Sequence, residues 1–343
     1  MTGGLKRLGA LLALGGAFFF QLAAQQPFRI MEYNVENLFD CRHDSLKQDG
    51  EFLPSGVRGW NRFRFAEKVN KVAKVILAAS GRQVPDLVAL CEVENDYCLR
   101  TLVRYSPLRD AAYEYVMTDS PDERGIDVAL LYQPATFRML EFRPIRIPLE
   151  QLGHRPTRDI LHVSGRVISG DTLDVFVCHF PSRSGGQKRS EPYRLQAASC
   201  LKQAADSVRS VRQRPNIVIT GDFNDYPSDR SLREVLGASR PGEDEVSCGR
   251  FYNLMDGKPG GTYRYKGEWN ILDQMIVGGE LLQDSSSVRT DYGKARILSF
   301  PFLLEEDETY GGETPFRMYR GMRYHGGYSD HLPLLLELEI DDE

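Results

Sequence analysis

Short apolar runs recur along the chain, at 28–31, 86–90, 128–132, 173–177, 217–219, 271–277 and 334–338, with long polar intervals between them. Their length and their Val, Ile and Leu content predict β-strands. Two intervals carry a helical period instead. Residues 64–80 place Val69, Val72, Ile76 and Leu77 on one face, with Gly81 as the stop. Residues 190–212 place Leu195, Ala198, Leu201, Ala205 and Val208 on one stripe, with Ser190 as the expected N-cap. Many strands with few helices predict an α+β layered sandwich, sheets packed on sheets and helices outside. There is no repeat, low-complexity tract or linker, so a single domain over 27–340 is expected. Residues 284–323 have a weaker strand pattern and read as a long surface excursion returning to the last strand.

The N-terminus stands apart from this pattern. Lys6 and Arg7 precede a short apolar run, 8–22, that ends in Ala23-Ala24. A basic flank, a short apolar stretch and small residues describe a secretory signal peptide over 1–24, to be removed on export to the periplasm or the extracellular space. The alternative, a membrane anchor, is disfavoured by the length of the run and by Gly9, Gly15 and Gly16. Export permits disulfides. The six Cys show no C-x-x-C spacing, which argues against a zinc site, and Cys91 and Cys178 lie inside strand patterns as small buried residues. The net charge of −5 excludes a polybasic nucleic-acid binder, so any attraction to DNA or RNA must come from a local patch. A monomer is expected.

Polar residues cluster where the apolar runs end. Asn34 lies in Glu32-Tyr33-Asn34-Val35-Glu36-Asn37, and Glu92 follows the second run with Glu94 and Asn95 beyond it. His179 closes the fourth run, Asp222 and Asn224 close the fifth, Asp273 interrupts the sixth, and Asp330-His331 precede the last. If these strands share one core, the residues meet on one rim, and a carboxylate-rich rim with two His calls for a cation or an ionic substrate. All-oxygen ligands suit Mg²⁺ or Mn²⁺, with Ca²⁺ as an alternative. His and Asn beside such a cation fit attack of water on a phosphate ester.

In this ordered set of motifs the chain resembles the endonuclease/exonuclease/phosphatase superfamily, with its deoxyribonuclease-I-like fold. The motifs are Tyr33-Asn34-Val35-Glu36-Asn37, Cys91-Glu92, His179-Phe180, Gly221-Asp222-Phe223-Asn224, Asp273-Gln274 and Ser329-Asp330-His331. The resemblance implies a four-layer sandwich of two packed, mostly antiparallel sheets flanked by helices, with the site at one edge. It implies that Glu92 and Asn34 hold the divalent metal and that Asp330 supports a second metal position. His331, oriented by Asp273, would act at the scissile phosphate, and His179 would contact a phosphoryl oxygen. Asp222 would orient or deprotonate water, and Asn224 would stabilise the pentacovalent transition state. Arg124, in Arg124-Gly125-Ile126-Asp127, would lie near the phosphate.

Substrate is suggested by two further stretches. The Gly-rich basic segment 182–189, with Arg183 and Arg189, leads into a helix start, with Arg194 one turn inside, and such an arrangement can bind phosphates. Residues 260–269 alternate aromatic and basic side chains and can stack bases or simply form a hairpin. The expected activity is a metal-dependent phosphodiesterase or nuclease acting on nucleic acid or nucleotides. The alternatives are an enzyme acting on a small phosphorylated metabolite or lipid head group, and an inactive binding module.

Overall fold

The computed structural model describes residues 27–341 apart from Arg82. The expected signal segment lies outside the described residues. Two seven-stranded sheets pack face to face. The first is built on β1 (Phe28–Leu38), β2 (Leu87–Val93), β3 (Glu114–Met117) and β4 (Asp127–Tyr132), with the last strand, Leu334–Ile340, beside β1. The second runs β5 (Arg138–Ile145), β6 (Ile160–Arg166), β7 (Thr172–His179), β8 (Asn216–Asp222), Asp273–Gly278, β10 (Phe251–Asn253) and β9 (Ala238–Ser239). Strands β3, β5 and β6 were not among the expected runs; polar residues and Gly or Pro interrupt β5 and β6, while β3 is only four residues long.

Each sheet has a parallel pair at its heart, joined by a helix; the second also pairs the short β9 and β10 in parallel at its edge. Helix α1 (Arg62–Ala78) connects β1 to β2, and α3 (Gln187–Val211) connects β7 to β8. Parallel neighbours require such a crossover, and the helix then covers the outer face of its sheet. Along β2, Leu87, Ala89 and Cys91 face the second sheet while Val88, Leu90 and Val93 face α1 and α2 (Asp96–Tyr105). Along β8, Val218 faces inward while Ile217 and Ile219 pack under Ala198, Leu201 and Ala205 of α3. The strands are apolar on both faces because both faces are covered. The result is the expected four layers.

Two helix boundaries correct the sequence reading. Helix α3 starts at Gln187, three residues before the expected cap, and Ser190 lies inside it with its hydroxyl donating to the Gly186 carbonyl at 2.9 Å. Helix α2 was not expected; Asn95 is its N-cap, accepting from the Cys98 N–H at 3.1 Å. Part of the expected surface excursion is sheet, since Val288–Arg289 and Ala295–Ile297 both pair with the last strand. All six cysteines are unpaired. Among the described residues no helix is long and apolar enough to cross a membrane.

Candidate active site

Strand direction assembles the site. The parallel strands β1, β2, β7 and β8 end at one rim of the sandwich. Their antiparallel neighbours β4, β6, Asp273–Gly278 and Leu334–Ile340 begin there. Side chains from strand ends and strand starts therefore meet. Across the rim β4 faces β6, β2 faces β7, β1 faces β8, and the last strand faces Asp273–Gly278. The functional candidates appear in that order. Glu92 lies 3.8 Å from His179 Nε2. Asn34 donates from Nδ2 to Asp222 at 3.0 Å. The His331 Nδ1–H donates to Asp273 at 2.7 Å. The Nε2 atoms of His179 and His331 stand 3.6 and 3.9 Å from Asp222, which is the hub of the site. They open into a cleft of about 890 Å³.

Local backbone aims these groups. Glu92 sits at φ +67° where the β2 register shifts, Glu36 and Asn37 at +51° and +59° where β1 bulges, and Asn224 at +50° after β8. Left-handed backbone is costly for such residues and is sustained only where its surroundings hold it. Here hydrogen bonds do so. Asn37 N–H donates to Glu92 at 2.9 Å, Glu36 N–H to Asn34 Oδ1 at 3.0 Å, and Asn224 N–H to Asp222 at 2.8 Å. Ser329 ties the His331 turn to β1, its hydroxyl donating to the Asn34 carbonyl at 2.6 Å. Asp330 lines the cleft 3.6 Å from Arg317.

The two histidines are driven in opposite directions. Burial works against a charge on His331, yet Asp273 and Asp222 outweigh it and raise its pKa well above the usual value. Burial and then the positive charges of Arg158, Arg124 and His331 lower the pKa of His179 well below it. One imidazole is thus cationic and the other neutral at pH 7. Burial, with Asp273 and Glu92 also contributing, pushes the Asp222 carboxyl up to about 7 against the pull of His331. Such crowding marks a place for a cation, and the oxygen atoms of Glu92, Asp222, Asn34 and Asp330 suit a hard divalent ion.

The structure separates the expected residues into those that meet and those that do not. Asn34, Glu92, Arg124, His179, Asp222, Asn224, Asp273, Asp330 and His331 converge. Arg194 does not. Because α3 begins early, Arg194 lies two turns inside, fully buried on the face that meets the sheet, and pairs with Asp225 at 2.6 Å. Arg189 is exposed on the first turn and does not line the cleft. Arg183 reaches the cleft, but its guanidinium is held by Asp225 and Asp229 at 3.2 and 2.5 Å. Glu94 braces a loop by accepting the Asp40 N–H at 2.6 Å, and burial pushes its carboxyl up to about 8.

Sequence reasoning did not single out a role for three residues. Glu32 is fully buried one alternation below Asn34, so it points between the sheets; burial and then Asp273 raise its pKa well above the usual value. Lys68 of α1 is buried and donates to the Tyr328 carbonyl, beside Glu36 and Asp330. Arg158 lies two residues before β6, and its signal was hidden because β6 was not recognised as a strand.

Comparison with known proteins agrees with this fold. Among solved structures, D. rerio TDP2 complexed with a single-strand DNA product superposes with a TM-score of 0.56 at 14% identity, over 92% of this chain and 100% of that one. The human nocturnin catalytic domain with bound sulfate gives 0.53 at 16%, over 92% and 95%. A Bacteroides thetaiotaomicron mannosyl-6-phosphatase gives 0.54 at 15%, over 91% and 99%. Identities this low carry the fold alone. No curated protein matches the chain. The model of the Endonuclease/Exonuclease/phosphatase family matches residues 29–340, and the chain therefore belongs to that family of metal-dependent phosphoester hydrolases.

Proposed function

We propose that the protein hydrolyses phosphodiesters of nucleic acid or nucleotides by in-line attack of water. The observation that carries this reading is the convergence of a neutral His179 and a cationic His331 on Asp222 within one cleft. Glu92 and Asn34 would hold the divalent cation, Mg²⁺ or Mn²⁺, with Asp330 in support; when bound it polarises a phosphoryl oxygen and offsets its charge. Asp222 orients the attacking water and takes its proton. His331, fixed by Asp273, places positive charge at the scissile phosphate, and His179 donates an N–H to a phosphoryl oxygen. Asn224 donates to Phe180 O and Asp222 at 3.2 and 3.3 Å, bonds long enough to yield to a developing oxyanion.

A polymeric substrate is favoured by what adjoins the cleft. Tyr263 and Tyr265, from the hairpin Tyr263–Tyr265/Glu268–Asn270, separate it from a second pocket of about 370 Å³ where Lys266, Arg317 and Arg320 stand among Glu305, Asp307 and Glu308. The two tyrosine rings suit stacking of successive bases, although Arg320 and Arg317 are paired with Glu305 and Asp330 at 3.1 and 3.6 Å. A second reading, hydrolysis of a small phosphorylated metabolite, is favoured by the internal pairing of Arg183 and Arg194, which removes two cations expected to grip a polyanion. Export directed by the N-terminal segment belongs to the same proposal. The test is turnover by the mature protein of plasmid, single-stranded DNA, RNA, bis(4-nitrophenyl) phosphate and sugar phosphates with Mg²⁺ or Mn²⁺. Turnover of the diesters, abolished by EDTA and by His331→Ala, is expected. Turnover of sugar phosphates alone selects the second reading, and turnover untouched by EDTA rejects both.

A further inference from the structure

Lys68 is a lysine where the fold would accept an apolar residue. It falls on the core stripe of α1 between Phe65 and Val72 and is 1% exposed. An ammonium carries three N–H donors. Among the described residues this one makes a single hydrogen bond, to the Tyr328 carbonyl, and has no carboxylate oxygen within 4 Å. A charge so lightly paired is costly to bury. Tying down the segment before His331 does not account for it. Lys71 and Lys74 of the same helix already do so, donating to the Gly326 carbonyl and, at 2.9 Å, to the Tyr328 hydroxyl.

Lys68 lies behind the Asp330 side of the rim. Burial works against its charge, while Glu36, then Asp330, then Glu92 favour it. Glu36 is buried, with Oε2 accepting the Met318 N–H at 2.7 Å. Asp330 has the Arg317 guanidinium at 3.6 Å. Two carboxyl groups here thus face two protein cations. The Glu92 side differs. Its basic neighbour is the neutral His179 at 3.8 Å, and among the described residues no lysine or arginine nitrogen lies within 4 Å of its carboxylate. A demand for positive charge from outside the chain is therefore left at Glu92 and not at Asp330. The remaining cluster of possible ligands, Asp222, Asp273 and His331, is engaged in its own hydrogen bonds, His331 with Asp273 at 2.7 Å and Asp222 with Asn34 at 3.0 Å.

We propose that Lys68 is a positioning residue, a built-in cation that with Arg317 supplies the charge needed beside Asp330 and Glu36, so that the rim takes one divalent ion, at Glu92, and not two. The inference deepens the phosphoesterase reading and rests on it. An ammonium fixed by the fold offsets carboxylate charge as a second ion would, but it offers no open coordination position. Lys68 does not line the cleft, so it acts through Asp330, the neighbour of His331, and not on substrate. The second metal position that the sequence pattern suggests for Asp330 is then filled by the protein itself.

Counting bound Mn²⁺ on the full chain at pH 8, by calorimetry and by the electron paramagnetic resonance signal of the free ion, tests this whether or not any ester is turned over. The parent is expected to bind one ion. Lys68→Met keeps the length of the side chain and removes its charge, and it is expected to bind a second. Lys71→Met, which removes a charge from the same helix, is expected to bind one. A lysine with a merely structural role gives no gain of an ion when it is removed. If the Met variant does not fold, Lys68→Gln carries the test, and if neither folds the count in the parent decides. Two ions in the parent, no gain in the Lys68 variant that folds, or an equal gain in Lys71→Met would overturn the inference and leave the phosphoesterase reading standing. No ion on the parent would overturn both.

Discussion

His331 and His179 lie a similar distance from Asp222 but differ in charge, one cationic and one neutral: at His331 burial is outweighed by Asp273 and Asp222, while at His179 burial and then Arg158 and Arg124 favour the neutral form. Removing the charge of Asp273 therefore takes away the largest support of the charge on His331. Asp273→Asn is expected to lower kcat on an activated diester by roughly 10²–10⁴-fold with a small change in KM, read from steady-state kinetics in saturating Mg²⁺. Glu32 poses the converse case. Burial, and then the charge of Asp273, raise its pKa and favour the protonated form. Glu32→Gln preserves shape and neutrality, so its unfolding free energy by urea titration at pH 7 is expected to stay within about 1 kcal/mol of the parent. A large loss would mean that Glu32 is ionised and paired.

At the scale of the elements, close approach of β7 and β8 is what brings His179 opposite Asp222 in the register. Gly221, at φ +135°, permits it; a Cβ there would stand 1.9 Å from the Cys178 carbonyl oxygen. Gly221→Ala is expected to destabilise the fold by about 3 kcal/mol or more, or to prevent expression, as judged by urea titration. The far end of the same layer is pinned by Asp174 on β7, which accepts from Arg212 at the end of α3 at 2.8 Å and from buried His162 at 2.9 Å. Burial opposes its charge, but the hydrogen bonds from Arg212, His162 and Ser164 prevail and hold its pKa down at about 2. A depressed folded-state pKa gives stability above the unfolded value near 4 that is lost as pH falls toward 2. Asp174→Asn is expected to remove about 2 kcal/mol at pH 7 and to flatten the stability curve between pH 4 and 2.

These elements also explain what could be read in advance. Strands apolar on both faces, such as β2 and β8, announce themselves by unbroken runs, and so did the polar residues that end them: Glu92, Asp222 and His179. Strand β6, Ile160-Leu161-His162-Val163-Ser164-Gly165-Arg166, faces inward through Leu161 and Val163 but carries a buried His–Asp–Arg network on its helix side, so neither the strand nor Arg158 in front of it stood out. The fate of Arg194 hung on where α3 begins. Its first turn is uncapped by any side chain, and Ser190 offered a false N-cap three residues late.

For the whole molecule the rim is an electrostatic liability as well as a tool. Asp222, Asp273, Glu92, Asp330 and Glu36 are brought together from both sheets, while His331 and Lys68 offset only part of that charge; burial and then Asp330 push Glu36 up to about 8. Repulsion acts across the interface between sheets, because Asn34, Glu92 and Asp330 belong to one sheet or its approach while Asp222 and Asp273 belong to the other. A divalent cation that bridges them should therefore tighten the sandwich as a unit. Ligand present at a hundred times its Kd stabilises the native state by about 2.7 kcal/mol, and a cation that binds the rim must raise Tm accordingly. Differential scanning calorimetry with Mg²⁺, Mn²⁺ or EDTA is expected to show a concentration-dependent rise in Tm with metal in the parent. Glu92→Gln is expected to shrink that rise while sparing the Tm in EDTA. A parent whose Tm ignores both metals would mean that Lys68 and His331 already balance the rim, and the metal assignment to Glu92 would fall with it.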